Sequence, residues 1–237
     1  MGLRVIGGTD EYAPGERHAA VAPTAGPGEP RRLVVFFTGA AGDERRFVED
    51  EYATLTEALA AAGFPVISAE FGGGYAWGND LALDRIDRLW RFGVESLGAR
   101  PDRFLGVGVS KGATALLNYA RRTRADVAAV AALIPALDLE AIHDRSAEMA
   151  SEIETAYGGG AGYAEVATEH NPMAHAEEYR GLPLACWCSL DDPAIPFEEV
   201  REFGRRAKAE LRLFGPAGHS IEGLDAGEVV EFFAGVP

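Results

Sequence analysis

The chain has 237 residues, 47% of them hydrophobic, enough for one sizeable core, and a single domain over 1–237 is expected. A net charge of −15 would repel phosphate backbones and anionic lipid over most of the surface, so neither nucleic acid nor a membrane is expected as a partner. No apolar run reaches about 18 residues and the opening MGLRVIGGTDEYAPGE lacks an apolar signal segment, so a cytoplasmic location is expected.

Short strand patterns at about 3–7 and 17–22 precede RRLVVFFTG, a continuous apolar run that reads as a buried strand. The segment 44–62 places Phe47, Val48, Tyr52, Leu55 and Leu59 on one helical face and stops at Gly63. Then come the strand FPVISAEF, the loop GGGYAWGND and a helix over about 81–97 with Leu83, Ile86, Leu89, Trp90 and Val94 as its apolar stripe. The strand FLGVGV, a helix from Lys111 and the strand VAAVAALI follow. After an interval over 136–180 come the strand LPLACWCSL, a helix from about 197, the strand ELRLF and a last helix from about 221. Apolar strands alternating with amphipathic helices predict an α/β fold whose central sheet is mainly parallel and covered on both faces.

Sheets of that kind carry chemistry at the carboxyl ends of their strands. Three loops there hold candidates. The first is Thr38-Gly39-Ala40-Ala41-Gly42-Asp43, where small residues let backbone N–H groups approach a ligand. A dinucleotide is excluded as that ligand. Asp43 stands where the short-chain dehydrogenase pattern wants Gly, no Tyr precedes either lysine by four residues, and Gly106-x-Gly108-x-x-x-Gly112 has the wrong spacing. The second loop, Asp191-Asp192-Pro193-Ala194-Ile195-Pro196, offers a proline-braced carboxylate that can orient an imidazole, or an Asp that caps the next helix. The third, Gly215-Pro216-Ala217-Gly218-His219-Ser220, carries a histidine with little bulk before it. Between the first loop and these two stands Gly108-Val109-Ser110-Lys111-Gly112, a GxSxG pentapeptide where a strand hands over to a helix. On its own GxSxG is a weak signal, because a tight turn gives the same letters. The order of Ser110 after one strand, Asp192 after a later one and His219 after the next gives it weight.

With GVSKG as nucleophile elbow, SLDDPAIP as acid loop and GPAGHS as histidine loop, the chain resembles the α/β-hydrolase superfamily over about residues 30–235. ARPDRFLGVGVSKGA looks most like the dienelactone-hydrolase and prolyl-oligopeptidase-like branches, and Thr38-Gly39 departs from the His-Gly that commonly begins the oxyanion loop. The resemblance implies a serine hydrolase that needs no cofactor or metal. Ser110 would be nucleophile, His219 base and Asp192 its orienting acid, in the D-x-x-I-P spacing the superfamily commonly shows. Asp138, after the preceding strand, is the position some members use for the acid, and Asp191 would cap the helix near Pro196 or face solvent. Backbone N–H groups of Lys111 and of Ala40, or Ala41, would form the oxyanion hole, with the Lys111 side chain read as solvated.

The interval 136–180 sits where this superfamily often inserts a lid. Helical patterning over 139–156, a flexible GGGAGY and a turn-like EHNPMAH suggest two or three short helices. The segment has too few apolar residues for a long fatty-chain pocket, so small or medium esters are the expected substrates, in the manner of a carboxylesterase; an amide or peptide stays open. A hydrolase fold that serves only as a binding module is the rival from another class. Tyr75 and Trp77, beside Gly72 to Gly74, are candidate pocket residues, and His143, His170 and His175 read as surface or lid residues. Cys186 and Cys188, two apart on one strand, are poorly placed for a disulfide and read as small buried hydrophobes.

Overall fold

A computed structural model describes residues 3–24, 29–39, 42–71 and 77–237. Eight strands form one sheet in the order β1-β2-β4-β3-β5-β6-β7-β8. β1 (Val5–Thr9) and β2 (Arg17–Val21) pair antiparallel at one edge, and β2 pairs antiparallel with β4 (Val66–Ala69). From there β3 (Arg32–Phe37), β5 (Arg100–Val109), β6 (Val127–Leu133), β7 (Leu184–Ser189) and β8 (Glu210–Phe214) continue in parallel.

Period-2 alternation along the central strands divides the core. In β3, Leu33, Val35 and Phe37 face one layer and Val34 and Phe36 the other. The first layer is covered by α2 (Asp80–Leu97), α3 (Lys111–Arg122) and α7 (Phe197–Ala207). The second is covered by α1 (Asp50–Ala61) and α8 (Ala226–Ala234). β3, β4, β6 and β7 are buried along their whole length, which is why they read as unbroken apolar runs. Among the described residues no helix is long and apolar enough to cross a membrane.

The α2 boundaries follow local chemistry. The Asn79 side chain accepts from the Ala82 N–H at 2.9 Å, and Gly98 closes the helix in the left-handed region at φ 64°. Two expectations shift. The last helix begins at Ala226, not near 221, with Asp225 as its cap. The glycine-rich stretch read as flexible instead opens a helix. Between β6 and β7 stand α4 (Leu139–Arg145), α5 (Ala147–Ala156), α6 (Gly160–His170) and a short 3-10 turn at Ala176–Tyr179.

Candidate active site

β5 shows why its sequence alternates FLGVGV. Leu105, Val107 and Val109 fill the α1/α8 layer, whereas Gly106 and Gly108 leave the other face bare, and α3 settles onto it. A Cβ on Gly108 would lie 2.6 Å from Ala113 Cα, and one on Gly112 only 2.4 Å from the Phe37 carbonyl oxygen. The residue that joins strand to helix takes the strain. Ser110 has φ 51° and ψ −120°, a conformation non-glycine residues rarely hold. It is pinned there by its own N–H donating to Leu133 O (3.0 Å) and by Ala136 N–H donating to its carbonyl (3.1 Å).

The Ser110 hydroxyl meets His219 Nε2 at 2.9 Å, and His219 Nδ1 meets Asp192 Oδ2 at 2.8 Å. A carboxylate only accepts, so Nδ1 carries the proton and Nε2 is left to accept from the serine hydroxyl. Asp192 is buried, and its other oxygen accepts from the N–H groups of Ala194 (2.8 Å) and Ile195 (3.0 Å). These bonds fix the carboxylate without using the oxygen that faces the imidazole. Three residues from the ends of β5, β7 and β8 thus form one continuous hydrogen-bonded chain.

The competing carboxylates are placed elsewhere. Asp138 caps α4, accepting from Ala141 N–H (3.2 Å) and from Asn171 Nδ2 (3.1 Å). Asp191 neither caps α7 nor merely faces water. It accepts from the Ala217 and Gly218 N–H groups (both 3.1 Å) and from the Ser189 hydroxyl, so it ties down the loop that carries His219. Those donors hold its carboxyl below the usual carboxylate range, the Ser189 hydroxyl most of all. A second brace comes from α1, where Glu51 accepts from the Ser220 hydroxyl. Tyr52, next along α1, lies beside Gly39, its buried phenol pushed up to about 12 mainly by burial. The sequence marks Asp191 only as a cap or solvent-facing carboxylate, Tyr52 only as part of an apolar helix face and Glu51 not at all, because their partners are backbone groups or lie on distant loops.

Lys111 begins α3, so its backbone stands at the positive end of that helix, next to Ser110. Its side chain is buried, contrary to the solvated reading, at 8% exposure. Ala40, Ala41 and Tyr75 lie outside the described residues. Trp77 is packed in the core, and the cleft near Ser110 is lined by other residues. His143 contacts Glu154 (3.0 Å) and stacks on Tyr163, and His175 meets Glu178 (2.6 Å) and Thr168 O (3.0 Å). His170 ends α6, inside the interval read as a lid, and is buried. It donates from Nδ1 to Gly78 O (3.0 Å) and accepts at Nε2 from Arg122 (3.1 Å). Both cysteines are buried free thiols. Among the described residues no group of three or more His, Cys, Asp or Glu side chains could hold a metal ion.

No protein-family model matches the chain, and no curated protein matches it. Solved structures do. The chain is similar to Est1E from Butyrivibrio proteoclasticus at 19% identity and TM-score 0.72, over 98% of this chain and 96% of that one. FphF, a fluorophosphonate-binding serine hydrolase of Staphylococcus aureus, aligns at 14% identity and TM-score 0.73, over 98% and 99%. A puromycin-hydrolyzing peptidase of Mycobacterium tuberculosis aligns at 19% identity and TM-score 0.72; the chain spans 98% of itself but only 38% of that protein. Sheet order, strained strand-to-helix turn and these likenesses agree: the chain has the α/β-hydrolase fold.

Proposed function

We propose that the chain is a serine hydrolase that cleaves small to medium carboxylic esters through an acyl-enzyme. The observation that carries this reading is the unbroken chain Asp192–His219–Ser110, with Ser110 in a strained turn that turns its hydroxyl toward the imidazole. A binding module would have no reason to hold three such groups at 2.8 and 2.9 Å while bearing the strain at Ser110.

The mechanism follows from the groups. A serine hydroxyl is a poor nucleophile until a base removes its proton, and His219 Nε2 is in hydrogen-bond contact with it. As Oγ bonds to the ester carbonyl carbon, its proton passes to Nε2, and the carbonyl oxygen becomes an oxyanion. The Lys111 N–H, at the helix terminus, stabilises it, and the second donor in this reading is the N–H of Ala40 or Ala41. Asp192 holds the tautomer and stabilises the imidazolium. Collapse breaks the ester C–O bond, and the departing alkoxide takes the proton from Nε2. Water then repeats the sequence on the acyl-serine, releasing acid and free Ser110. Loss of one oxyanion donor costs about 2.7–4 kcal/mol in such sites, roughly 10²–10³ in kcat, which is less than loss of a triad partner at about 10⁴ or more.

Est1E and FphF have similar folds, and the mycobacterial peptidase keeps amide substrates in view. The test is incubation with a fluorophosphonate, then peptide mass mapping, beside parallel ester and amide assays. A mass gain confined to Ser110, absent in Ser110→Ala, with ester turnover lowered by several orders of magnitude in that variant, is the expected result. A Ser110→Ala protein that keeps most of its activity would end this reading. Faster turnover of a matched amide would turn it to the peptidase form.

A further inference from the structure

The segment between β6 and β7 contributes none of Ser110, Asp192 and His219, yet one of its side chains reaches the loop that holds Asp192. α4 is fixed at its start, where Asp138 caps it and where Leu139 and Ile142 are buried. Arg145 ends the helix, and its guanidinium spans two partners. Nη1 donates to the Glu199 carboxylate in the first turn of α7, and Nη2 donates to the Ala194 carbonyl at 3.2 Å.

These two contacts differ in weight. The pair with Glu199 is partly exposed, 38% on the arginine side, and such pairs contribute little by themselves. The Ala194 contact matters because of what lies behind it. The Ala194 carbonyl and the Ile195 N–H are two ends of one peptide unit, and that N–H donates to Asp192 Oδ1 at 3.0 Å. A planar peptide cannot turn one end without turning the other. A guanidinium on the carbonyl therefore fixes the direction of the N–H, and by polarising the amide strengthens it as a donor. The Ala194 N–H, which meets the same oxygen at 2.8 Å, belongs to the preceding peptide, so Arg145 governs one of the two bonds that hold the carboxylate. Hydrogen bonds run without a break from Arg145 through the 194–195 peptide to Asp192, His219 and Ser110.

We propose that Arg145 is a positioning residue for the triad, holding the 194–195 peptide so that Asp192 keeps its second oxygen on His219. The inference rests on the serine-hydrolase reading above. Arg145 acts through Asp192, so its removal slows the chemical step and leaves substrate binding alone.

The test is a double-mutant cycle on p-nitrophenyl acetate hydrolysis with wild type, Arg145→Met, Asp192→Asn and the double variant. Arg145→Met should lower kcat by about 3- to 10-fold, as expected for one net hydrogen bond, with KM within about 2-fold of wild type. In the Asp192→Asn background the same substitution should change kcat by less than about 2-fold, because no carboxylate remains to be aimed. Should Arg145→Met not fold, Arg145→Lys takes its place in the same cycle, since it keeps the cation but lacks the fork that spans both partners. An unchanged kcat, a change confined to KM, or an equal loss with and without the Asp192 carboxylate would overturn the proposal. Those outcomes, with wild-type Ser110 still labelled by fluorophosphonate and the ester still hydrolysed, leave the hydrolase reading intact. Wild-type protein that neither takes the label nor turns over any ester would overturn both.

Discussion

Asp192 and Asp191 are neighbours with different work, and the difference lies in which donors each meets. Asp192 gives one oxygen to two backbone N–H groups and the other to His219. In Asp192→Asn the backbone bonds to Oδ1 can persist, but an amide NH₂ now faces Nδ1 and favours the wrong tautomer. We expect kcat to fall by up to about 10⁴ with little change in Tm. Asp138→Asn should be mild, since Asn caps a helix as well as Asp and Oδ1 keeps its partners. Asp191→Ala is the informative case. It frees the Gly218 N–H, leaves the Ala217 N–H only the Ser189 oxygen at 3.2 Å, and loosens the loop that aims His219, so turnover should drop by on the order of 10-fold or more, through positioning alone. Asp191→Asn, which still offers an acceptor oxygen, should recover most of it. The Asp191 carboxyl is depressed in the folded state, so its bracing contribution is present above the ordinary carboxylate range. It is lost as pH falls through the lower folded-state value. Steady-state kinetics of the four variants checks the series, and a severe loss at Asp138 with Asp192→Asn still active would move the acid to the earlier strand.

At the level of elements, the glycines beneath α3 separate packing from catalysis. A Cβ on Gly106 would meet only the side-chain end of Leu116, at 2.5 Å, whereas one on Gly112 would meet the backbone oxygens of Phe37 and Thr38 at 2.4 and 2.6 Å. The first can be absorbed by a rotamer change; the second pushes α3 from the strand that leads into the Gly39 loop. Gly106→Ala should therefore cost about 1–3 kcal/mol of stability, read as a lowered Tm, with kcat near wild type. Gly112→Ala should lower kcat at least tenfold as well. Equal kcat in the two variants would show that the α3–β3 approach does not set the site. This approach was readable in the sequence, because GVGVSKG places its glycines where nothing larger fits. The parallel strands were readable too, as apolar runs such as LVVFF and AAVAAL. α6 was not. GGGAGY has low helix propensity, and the helix exists because tertiary contacts bury Tyr163 and His170 and because Gly159, at φ 99°, turns the chain into it. The Glu51–Ser220 contact spans 169 residues and leaves no local pattern.

Over the whole molecule, acid pulls stability in two directions. The net charge of −15 and the sequence pI of about 4.7 mean that lowering the pH from neutrality relieves self-repulsion. Two buried histidines act the other way. His170 is enclosed by Gly78 O, the Arg122 guanidinium and the Tyr157 ring, with the Asp80 and Glu169 carboxylates further off. His18 lies against Phe92 and Tyr12, with Glu11 at 3.1 Å and Glu44 beyond. Burial, the largest cause for both, holds each below the usual histidine range. The unfolded chain therefore takes up these protons first. The contribution of the neutral rings is complete above the unfolded value of about 6.5, and is lost as pH falls through the lower folded-state values. For His170 the loss has a direct cause, since a proton on Nε2 would face a guanidinium that can only donate. The Nδ1–H bond to Gly78 O, which ties α6 to the residues just before α2, favours the charged ring and offsets part of this loss. We expect Tm to fall by about 2–4 °C or more between pH 7.5 and 5.5, and His170→Gln, already weaker at pH 7.5, to show a shallower slope. Thermal melts of the two proteins across that range give both slopes. Identical slopes would remove His170 as a source of the acid sensitivity, and a Tm that rises toward pH 5.5 in the wild type would show that relief of charge repulsion outweighs both rings.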